Sequence, residues 1–317
     1  MKYPHHFAGN TFNRLAERRN DAAWLQQQLE QGNSHVLPLW RGRVLLAMQN
    51  NTPRMVSMPH VEVGASIGND QLILLGEFCD QLYFAMELSG DTEPGLPIDA
   101  EFHDLRSMTG LLDRDEAGLL GYARALVHWR STHRYCGKCG APNQAIHTGH
   151  VMECSNDSCK YHAFPRLDPA VIVLITDGES ILLGRQAKFP PGRYSTIAGF
   201  VEWAESIEEA VVREVREETG VQVDGVQYHS SQPWPFPSSL MLGFIAQAVT
   251  KEITLHDNEL EDARWFSRAD ITNGILHLPP VQSISYRLIE SWYNTAATTP
   301  LSETGVTIDS AAKLFRA

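Results

Sequence analysis

One stretch of 23 residues does most to limit what this chain of 317 residues can fold into: residues 199–221 read GFVEWAESIEEAVVREVREETGV. Ser206 followed by Glu209 is a capping box, which marks the start of a helix. Gly220 suits the left-handed conformation that commonly follows the last helical turn. The stretch therefore predicts an amphipathic helix between Ser206 and Gly220, with an apolar stripe formed by Ile207, Val211 and Val215.

A second face of this helix is crowded with acidic residues. Glu214, Glu217 and Glu218 project from neighbouring positions at about 3.6 residues per turn, and like charges at this spacing repel one another. A solvated acidic surface with Arg213 and Arg216 as partners is the ordinary explanation of such a run. Carboxylates that leave positions open for phosphates and water also suit Mg²⁺ or Mn²⁺. We favour a catalytic cation site, because a cation would offset the repulsion.

The spacing of the specified residues in this stretch is Gly-x5-Glu-x7-Arg-Glu-U-x-Glu-Glu-x-Gly-U, where U is apolar. This pattern resembles, without a gap, the signature box of the Nudix hydrolases, which cleave nucleoside diphosphates linked to another group. The resemblance implies a metal-dependent hydrolase, in which metal ions neutralise the diphosphate and activate a water molecule. The matching positions are Gly199, Glu205, Arg213, Glu214, Val215, Glu217, Glu218, Gly220 and Val221.

The resemblance also implies roles for individual residues. Arg213 would orient Glu205 and the loop before the helix. Glu259, in HDNELEDARWF, is the candidate for a further carboxylate beyond the box, with an ordinary surface acid as the alternative. The sequence does not identify which of these glutamates acts as the general base. The Mg²⁺ or Mn²⁺ ligands implied by the box are the Ala198 carbonyl oxygen, Glu214, Glu218 and, directly or through water, Glu217.

Four of the five cysteines lie close together, as the pairs Cys136-x2-Cys139 and Cys154-x4-Cys159. Two pairs at this spacing can converge on one tetrahedral ion, and four thiolates leave no open position, so the pattern predicts one structural Zn²⁺ per chain. Free thiols or a redox pair are the alternatives, although no thioredoxin-like βαβ pattern surrounds them. Cys79 stands alone in an apolar run, and we expect it to be an inert core residue.

The segment SQPWPFPSSLM, residues 231–241, holds three prolines that would present Trp234 and Phe236 rigidly. Rigid aromatic rings suit base stacking, although rings in such loops also pack into cores. The order of zinc ribbon, box and Pro-Trp-Pro-Phe-Pro run looks like the NADH pyrophosphatase branch of the Nudix family, over residues 102–294. That branch hydrolyses NAD(H) to nicotinamide mononucleotide and AMP, and many of its members are homodimers. The likeness therefore implies NAD(H) hydrolysis and a homodimer for this chain.

The same likeness implies a dinucleotide pocket and some departures from the branch. The second cysteine pair has the longer spacing, Phe164 stands where tyrosine is frequent, and Gly149 stands where relatives can carry an acidic residue that contacts substrate. These departures bear on base selectivity and leave the reaction unchanged. The implied pocket residues are Gln232, Pro233, Trp234, Pro235, Phe236, Pro237, Ser238 and Ser239, with Phe164 and Ser285 as further candidates.

Periodicity along the chain predicts an α/β protein. Residues 1–131 form a β-rich N-terminal domain that ends in a helix, where Asp113 and Glu116 make a second capping box. Residues 132–164 form the zinc ribbon. Residues 165–297 form an α/β/α sandwich around a mixed sheet, and residues 298–317 a tail. In the sandwich, after the box, we expect strands near 221–229, 239–249, 252–255 and 263–267 and a helix near 280–294.

Composition excludes some classes of function. A net charge of −12 argues against a protein that binds nucleic acid over a broad surface, which needs basic residues. No segment approaches the roughly 18 apolar residues of a membrane span, and the first residues lack an export signal, so we expect a soluble cytoplasmic protein. Two alternatives stay open: removal of an NAD cap from the 5′ end of RNA by the same chemistry, and a nucleotide-sensing zinc-ribbon protein that no longer hydrolyses.

Overall fold

The computed structural model describes residues 5–60, 71–96, 99–256 and 259–308. In these ranges the helices are α1 Ala22–Glu30, α2 Leu105–Met108, α3 Arg114–Thr132, α4 Ile207–Thr219, α5 Arg268–Thr272 and α6 Ile284–Asn294, with 3₁₀ turns at Ala16–Arg18, His147–Gly149 and Leu301–Glu303. The first ten strands are β1 Ser34–Trp40, β2 Arg43–Gln49, β3 Thr52–Met55, β4 Met58–Pro59, β5 Ile73–Phe78, β6 Gln81–Leu88, β7 Glu101–His103, β8 Asn143–Ile146, β9 Val151–Cys154 and β10 His162–Ala163. The remaining strands are β11 Asp168–Thr176, β12 Ser180–Arg185, β13 Ile197–Phe200, β14 Val223–Trp234, β15 Ser239–Ala248 and β16 Asp262–Ser267.

The chain divides into two compact units. The N-terminal unit contains Gly9–Leu167 together with the short segment Pro235–Ser238. The C-terminal unit contains Asp168–Trp234, the described residues after Ser238 and residues 5–8. The domain limits expected near residues 131, 164 and 297 stay predictions, since the ribbon groups with the N-terminal strands in this division.

In the described part of the N-terminal unit, one sheet has the order β3-β2-β1-β6-β5, with β4 beside β1 and β7 beside β2. Strands β1 and β6 run parallel, and the other pairs are antiparallel. Helix α3 packs on this sheet and buries Leu119, Leu120 and Ala123. This arrangement confirms the predicted β-rich region that ends in a helix.

The start of α3 differs in detail from the expected capping box. Asp113 accepts hydrogen bonds from the N–H groups of Asp115 and Glu116, at 2.9 and 3.4 Å. The carboxylate of Glu116 accepts instead from the N–H of Met55, at 3.0 Å. The prediction was therefore right for Asp113 and wrong for Glu116, because a strand outside the helix offers that carboxylate a backbone donor.

Cys79 is not the core residue that the sequence predicted. It is exposed, with φ of 51°, and is followed by Asp80 with φ of 59° in the turn that joins β5 to β6. Phe78 pairs with Gln81 across this turn. A two-residue hairpin turn with positive φ at both positions matches the twist of the strands, so the backbone places Cys79 at the tip despite its apolar neighbours.

In the described part of the C-terminal unit, the sheet has the order β14-β15-β11-β12-β16, with β13 beside β11. Strands β11 and β15 run parallel and their other neighbours are antiparallel, so the sheet is mixed. Alternate residues of β11 face opposite sides: Val171 and Val173 pack with α4, while Ile172 and Leu174 pack with α6. This confirms the α/β/α sandwich.

Two expectations for the C-terminal unit were wrong. Residues 252–255 form no strand, because this segment lies against the end of α4, where the N–H of Thr254 donates to the carbonyl of Thr219 at 2.9 Å. In addition, β14 and β15 pair as far as Trp234 and Ser239, so the expected long loop is reduced to the four residues 235–238. Of the tail, Leu301 is fully buried in the core beside α6.

Helix length and hydropathy within the described ranges leave no helix that could cross a membrane.

Candidate active site and zinc centre

Helix α4 carries the acidic face, and both of its ends are fixed by local hydrogen bonds. Ser206 accepts from the N–H of Glu209 at 3.2 Å, while Glu209 accepts from the N–H of Ser206 at 2.7 Å, so the capping box is complete. Gly220 ends the helix with φ of 71°. Val211 and Val215 are fully buried against the sheet, which turns the glutamates away from that contact.

Arg213 joins the glutamates to the loop before the helix. Its Nε and Nη2 donate to the two carboxylate oxygens of Glu205, at 2.9 and 2.7 Å, and Nη2 also donates to the carbonyl of Phe200. Its Nη1 donates to Glu214 at 2.9 Å and to Glu217 at 3.0 Å. The bidentate contact with Arg213, and then the N–H of Glu202, lower the pKa of Glu205 to about 2. The loop is thus held by a charged network that has the geometry expected for an orienting Arg213.

Glu214 lies directly against the backbone of β13. A Cβ atom at Gly199 would fall 1.9 Å from the carboxyl carbon of Glu214, so any other residue there would displace this carboxylate from its present position. Burial raises the pKa of Glu214, and although Arg213 acts against this, the charges of Glu217 and Glu259 add to the rise. Glu259 therefore lies near enough to act on Glu214, although the two are 45 positions apart in sequence.

The other two box glutamates differ in exposure. Glu218 is only 3% exposed, whereas the side chain of Glu217 is 56% exposed. A buried carboxylate close to other acids is costly unless a positive partner compensates it. Mg²⁺ and Mn²⁺ prefer oxygen ligands, so these residues fit such an ion. The structure brings together Glu214, Glu217 and Glu218 on α4, Glu259, and the β13 backbone at Gly199, the residue that follows Ala198.

The four clustered cysteines converge in the small sheet of order β10-β9-β8. All four Sγ atoms lie within 4.8 Å of one another, with Cys136 and Cys159 at 3.9 Å and Cys139 and Cys154 at 3.4 Å. A tetrahedral Zn²⁺ with Zn–S bonds of about 2.3 Å needs S–S distances near these values. The thiols therefore fit zinc and leave no position for a water ligand.

The backbone around the cysteines supports this interpretation. The N–H of Gly140 donates to the carbonyl of Cys136 at 2.9 Å, which closes the first turn. Burial acts to raise the pKa of the Cys136 thiol, but N–H groups of Lys138 and Cys139 stabilise its thiolate and bring the pKa to about 7. Burial raises the pKa of Cys154 to about 12. Four thiolates this close together repel one another, and a bound metal ion would stabilise them.

The residues proposed to line a dinucleotide pocket fall into two groups, and the first group is engaged inside the C-terminal unit. Gln232 is fully buried; its amide N–H groups donate to the carbonyls of His6 and Gln282, and its oxygen accepts from the N–H of Ile284. Trp234 is half-buried, and its ring centre lies 6.4 Å from that of Phe7, with the two rings nearly perpendicular. Pro233 pairs with Leu240 on the edge strand β14, and Ser239 is buried opposite Trp234.

The second group is the turn Pro235–Ser238, which packs in the N-terminal unit. Pro235 is buried, Phe236 and Ser238 are half-buried, and Pro237 is exposed. Arg124 of α3 and Arg106 of α2 lie over the Phe236 ring, with their guanidinium carbons 5.1 and 5.7 Å from its centre. Sequence reasoning missed both arginines, because they are more than a hundred positions from Phe236 and no local pattern connects them.

The remaining candidates are separate from these groups. Ser285 is buried, and its hydroxyl accepts from the N–H of Thr196 at 3.1 Å and exchanges a hydrogen bond with Ser195. Phe164 is 60% exposed at the end of the ribbon. At Gly149, φ is 88° and a Cβ atom would come within 3.1 Å of the Leu72 carbonyl, so an acidic side chain is disfavoured there. The substrate roles of Gln232 and Ser285 stay predictions.

Three known domain families match consecutive parts of the chain. These are the NADH pyrophosphatase-like rudimentary NUDIX domain at residues 33–129, the NADH pyrophosphatase zinc ribbon domain at 131–164, and the NUDIX domain at 166–291. A protein of Stutzerimonas stutzeri named NAD-capped RNA hydrolase NudC is 45% identical over 217 residues, which cover 68% of this chain and 75% of that protein. This chain belongs to the Nudix hydrolase family.

Further relatives of this Nudix protein are also named NAD-capped RNA hydrolases. The NAD-capped RNA hydrolase NudC of Pseudomonas aeruginosa is 48% identical over 178 residues, which cover 56% of this chain and 62% of that relative. Human NAD-capped RNA hydrolase NUDT12 is 34% identical over 337 aligned positions, covering 90% of this chain and 73% of the human protein. The match to the Pseudomonas aeruginosa relative thus spans less than two thirds of its length.

Family membership accounts for both metal sites. Nudix hydrolases use Mg²⁺ or Mn²⁺, the cations that the acidic face of α4 predicted. The zinc ribbon match covers all four clustered cysteines, which confirms the predicted structural zinc.

Proposed function

We propose that this protein hydrolyses the diphosphate bond of NAD(H), giving nicotinamide mononucleotide and AMP. One observation carries the proposal: the Glu214 carboxylate lies on the backbone of Gly199, in a network where Arg213 also binds Glu205 and Glu217. This network presents several carboxylates at a fixed place beside a strand. The site therefore suits a reaction whose substrate has two linked phosphates and whose transition state is anionic.

In this reaction the protein groups bind, orient and move a proton. Glu214, Glu217, Glu218 and Glu259 would hold Mg²⁺ or Mn²⁺ together with the Ala198 carbonyl oxygen. When bound, such ions neutralise diphosphate charge and lower the pKa of water. Arg213 keeps Glu205 and the loop in place, so the carboxylates need not reorganise when substrate binds. A glutamate of the cluster accepts the proton of the attacking water, as its carboxylate form allows.

The same chemistry supports a second candidate substrate, RNA with an NAD cap at its 5′ end. Its support is that the relatives from Stutzerimonas stutzeri, Pseudomonas aeruginosa and human are each named NAD-capped RNA hydrolase. The cap presents the same diphosphate bond, and a pocket that holds only the 5′ end needs few contacts with the chain. A net charge of −12 is compatible with such a short contact and disfavours an extended one.

A nucleotide sensor that no longer hydrolyses is the third alternative. Such a protein would have no need of a repulsive carboxylate cluster held against a glycine. The complete set Glu214, Glu217 and Glu218, with Gly199 beside it, favours an enzyme.

One product analysis tests the proposal. Purified protein is given NADH, NAD⁺, ADP-ribose, diadenosine diphosphate or NAD-capped RNA with Mg²⁺ or Mn²⁺, and AMP and the second product are measured by chromatography. We expect NADH to yield reduced nicotinamide mononucleotide and AMP, and a chelator to stop the reaction. The control variant Glu208→Gln removes an exposed acid of the same helix and should behave as wild type. If none of these substrates releases AMP with either metal, the proposed enzymatic function is wrong.

The homodimer and the cytoplasmic location implied by the sequence remain predictions. Light scattering on purified protein would test the first, since a mass near 71 kDa, twice the 35.5 kDa chain, is expected. Fractionation of cells that make the protein would test the second.

A further inference from the structure

Residues 259–262, which lead into β16, are held to the end of β12 by one arginine. Arg185 is the last residue of β12, and its side chain is only 13% exposed. Its Nε donates to the Glu261 carboxylate at 2.7 Å, and its carbonyl accepts from the N–H of Glu261 at 2.9 Å. Arg185 therefore fixes both the side chain and the backbone of a residue two positions after Glu259.

The guanidinium of Arg185 is itself held from a second direction. Its Nη1 and Nη2 donate to the carbonyls of Pro190 and Phe189, at 2.9 and 3.3 Å. A guanidinium carries its N–H donors in a rigid planar fork, so contacts on all three nitrogens fix its orientation. The group that binds Glu261 thus has a defined direction before any ligand arrives.

The next residue, Asp262, is held by further side chains of the same unit. The hydroxyl of Tyr194 donates to the Asp262 carboxylate, and Arg264 forms an ion pair with it at 2.7 Å. The ring of Tyr194 is buried against Phe266, with the two ring centres 4.8 Å apart. Positions 261 and 262 are therefore both anchored through their carboxylates to the sheet of the C-terminal unit.

The anchored segment lies beside the acidic face of α4. Leu260 packs in the same buried core as Val211 and Val215 of that helix. Glu259 directly precedes Leu260 and is exposed, and its charge adds to the rise in the pKa of Glu214. The anchors at 261 and 262 and the buried side chain at 260 thus bring Glu259 to the carboxylates of the helix.

We infer that Arg185 is a positioning residue, which acts through Glu261 to keep Glu259 where it contributes to the Mg²⁺ or Mn²⁺ site. This inference rests on the proposed function, since it assigns Glu259 to the cation site of that reaction. Arg185 is not itself an ion ligand, because a guanidinium repels a cation. Without its side chain, more of the ordering of Glu259 would accompany ion binding, and the entropy of ordering would weaken the affinity.

Mn²⁺ binding in the absence of substrate tests the inference without relying on activity, with free Mn²⁺ measured by electron paramagnetic resonance. Arg185→Met keeps the length of the side chain and removes its donors and charge, while its backbone bond to Glu261 is retained. We expect the Kd for Mn²⁺ to rise about fivefold in Arg185→Met and about twofold in Arg185→Lys, which keeps the charge without the planar fork. Loss of a positive charge alone would strengthen cation binding, so a weaker affinity reports position and not charge.

The matched control is Arg268→Met, which removes an arginine of the same unit that also binds backbone carbonyls. Arg268 donates to the carbonyls of Trp292 and Tyr293 at the end of α6, at 2.8 and 3.1 Å. Helix α6 packs on the face of the sheet opposite α4. Arg268→Met should therefore keep the Kd for Mn²⁺ at or slightly below the wild-type value, although its melting temperature falls.

A double-mutant cycle identifies the residue through which Arg185 acts. Glu259→Gln removes the charged carboxylate and should raise the Kd for Mn²⁺ about tenfold. Arg185→Met should have almost no further effect in the Glu259→Gln protein, because the group that it positions is already lost. Equal effects of Arg185→Met with and without Glu259→Gln would overturn the inference, as would an unchanged Kd in either single variant.

The same measurements separate this inference from the proposed function. If wild-type protein fails to cleave NADH while the Mn²⁺ cycle gives the expected result, the proposed function fails and the positioning role of Arg185 stands. If NADH is cleaved but the cycle is additive, the inference alone fails. Circular dichroism checks the fold of each variant, and Arg185→Lys takes the place of Arg185→Met in the cycle if the methionine variant does not fold.

Discussion

The two clusters of metal-binding residues in this chain are built in opposite ways. The carboxylates of Glu214, Glu217 and Glu218 come from one helix that is capped at both ends and packed on a sheet by Val211 and Val215. Arg213 already offsets part of their charge. This region therefore has the contacts to fold without a cation, and the cation is needed for chemistry.

The zinc ribbon lacks such support. Its strands β8, β9 and β10 have four, four and two residues, and its buried side chains include two of the cysteines themselves, Cys136 and Cys154. Val151 and Met152 are also buried, so the cation here adds to a small apolar core, as in other small metal-dependent folds. The comparison teaches that one chain can use one ion for reactivity and another for stability, according to what else holds each cluster.

The largest effect should follow from removing one charge at the acidic face. Glu218→Gln or Glu214→Gln should lower kcat by at least about a thousandfold, because each removes a charged metal ligand. Folding without metal should be preserved, and the melting temperature should stay equal or rise, since burial raises the pKa of Glu214 and its ionised form is costly at pH 7. Steady-state kinetics and circular dichroism measure both. If either folded variant kept the wild-type rate, the carboxylates would not be needed for catalysis, and the contrast with the structural zinc site would be wrong.

The ribbon should show the reverse pattern. Cys139→Ser should lose the bound zinc and reduce the free energy of unfolding by several kcal/mol, on the order of 3–5, while the folded fraction keeps its kcat. Cys139 is exposed, so the loss would not come from buried volume. Cys79→Ser, at another exposed cysteine, is the matched control and should change neither quantity. Elemental analysis that finds well under one zinc in fresh wild-type protein would contradict the site.

The stability of the ribbon, unlike that of the acidic face, should also depend on the protonation of a buried histidine. His150, 6% exposed, shares a hydrogen bond of 2.7 Å with the Leu74 carbonyl, and burial lowers its pKa to about 4. Because the folded pKa lies below the unfolded value of about 6.5, the unfolded chain binds more protons between pH 6.5 and 4. Stability should therefore fall as the pH is lowered through this window, by up to about 3 kcal/mol at about 1.36 kcal/mol for each pH unit.

Denaturant unfolding at several pH values, with zinc content followed in parallel, would measure this slope. His150→Gln cannot take up the proton and should flatten the curve in the window. An identical slope in the variant would assign the acid sensitivity to the cysteines instead.

The smallest effect concerns Phe236, which belongs to neither cluster. If its ring stacks on a base, Phe236→Ala should lower kcat/KM for NADH about tenfold more than for ADP-ribose, since a stacked base is worth roughly 1–3 kcal/mol. Metal dependence and zinc content should not change. A melting temperature lower by several degrees with an equal loss for both substrates would show that the ring only anchors the turn under Arg124 and Arg106.

Much of the site could be predicted from the sequence because its geometry is local. The capping box, the apolar stripe and Gly220 specify α4, and a helix fixes which glutamates share a face. The spacing of the cysteine pairs likewise specifies two turns that can meet at one ion. Cys79 was misplaced for the opposite reason, since an apolar run does not show where a two-residue turn interrupts it.

Only the tertiary structure decided how distant segments meet these local features. It placed the backbone of Gly199 against Glu214, buried the amide of Gln232 among backbone partners, left 252–255 without strand pairing, and brought Arg124 to the turn at Pro235. A sequence pattern records spacing along one helix or strand, because those contacts repeat at fixed intervals. A contact between α3 and residue 236 joins distant parts of the sequence, so no regular spacing of residues predicts it. It depends on how the strands and helices of the whole fold pack.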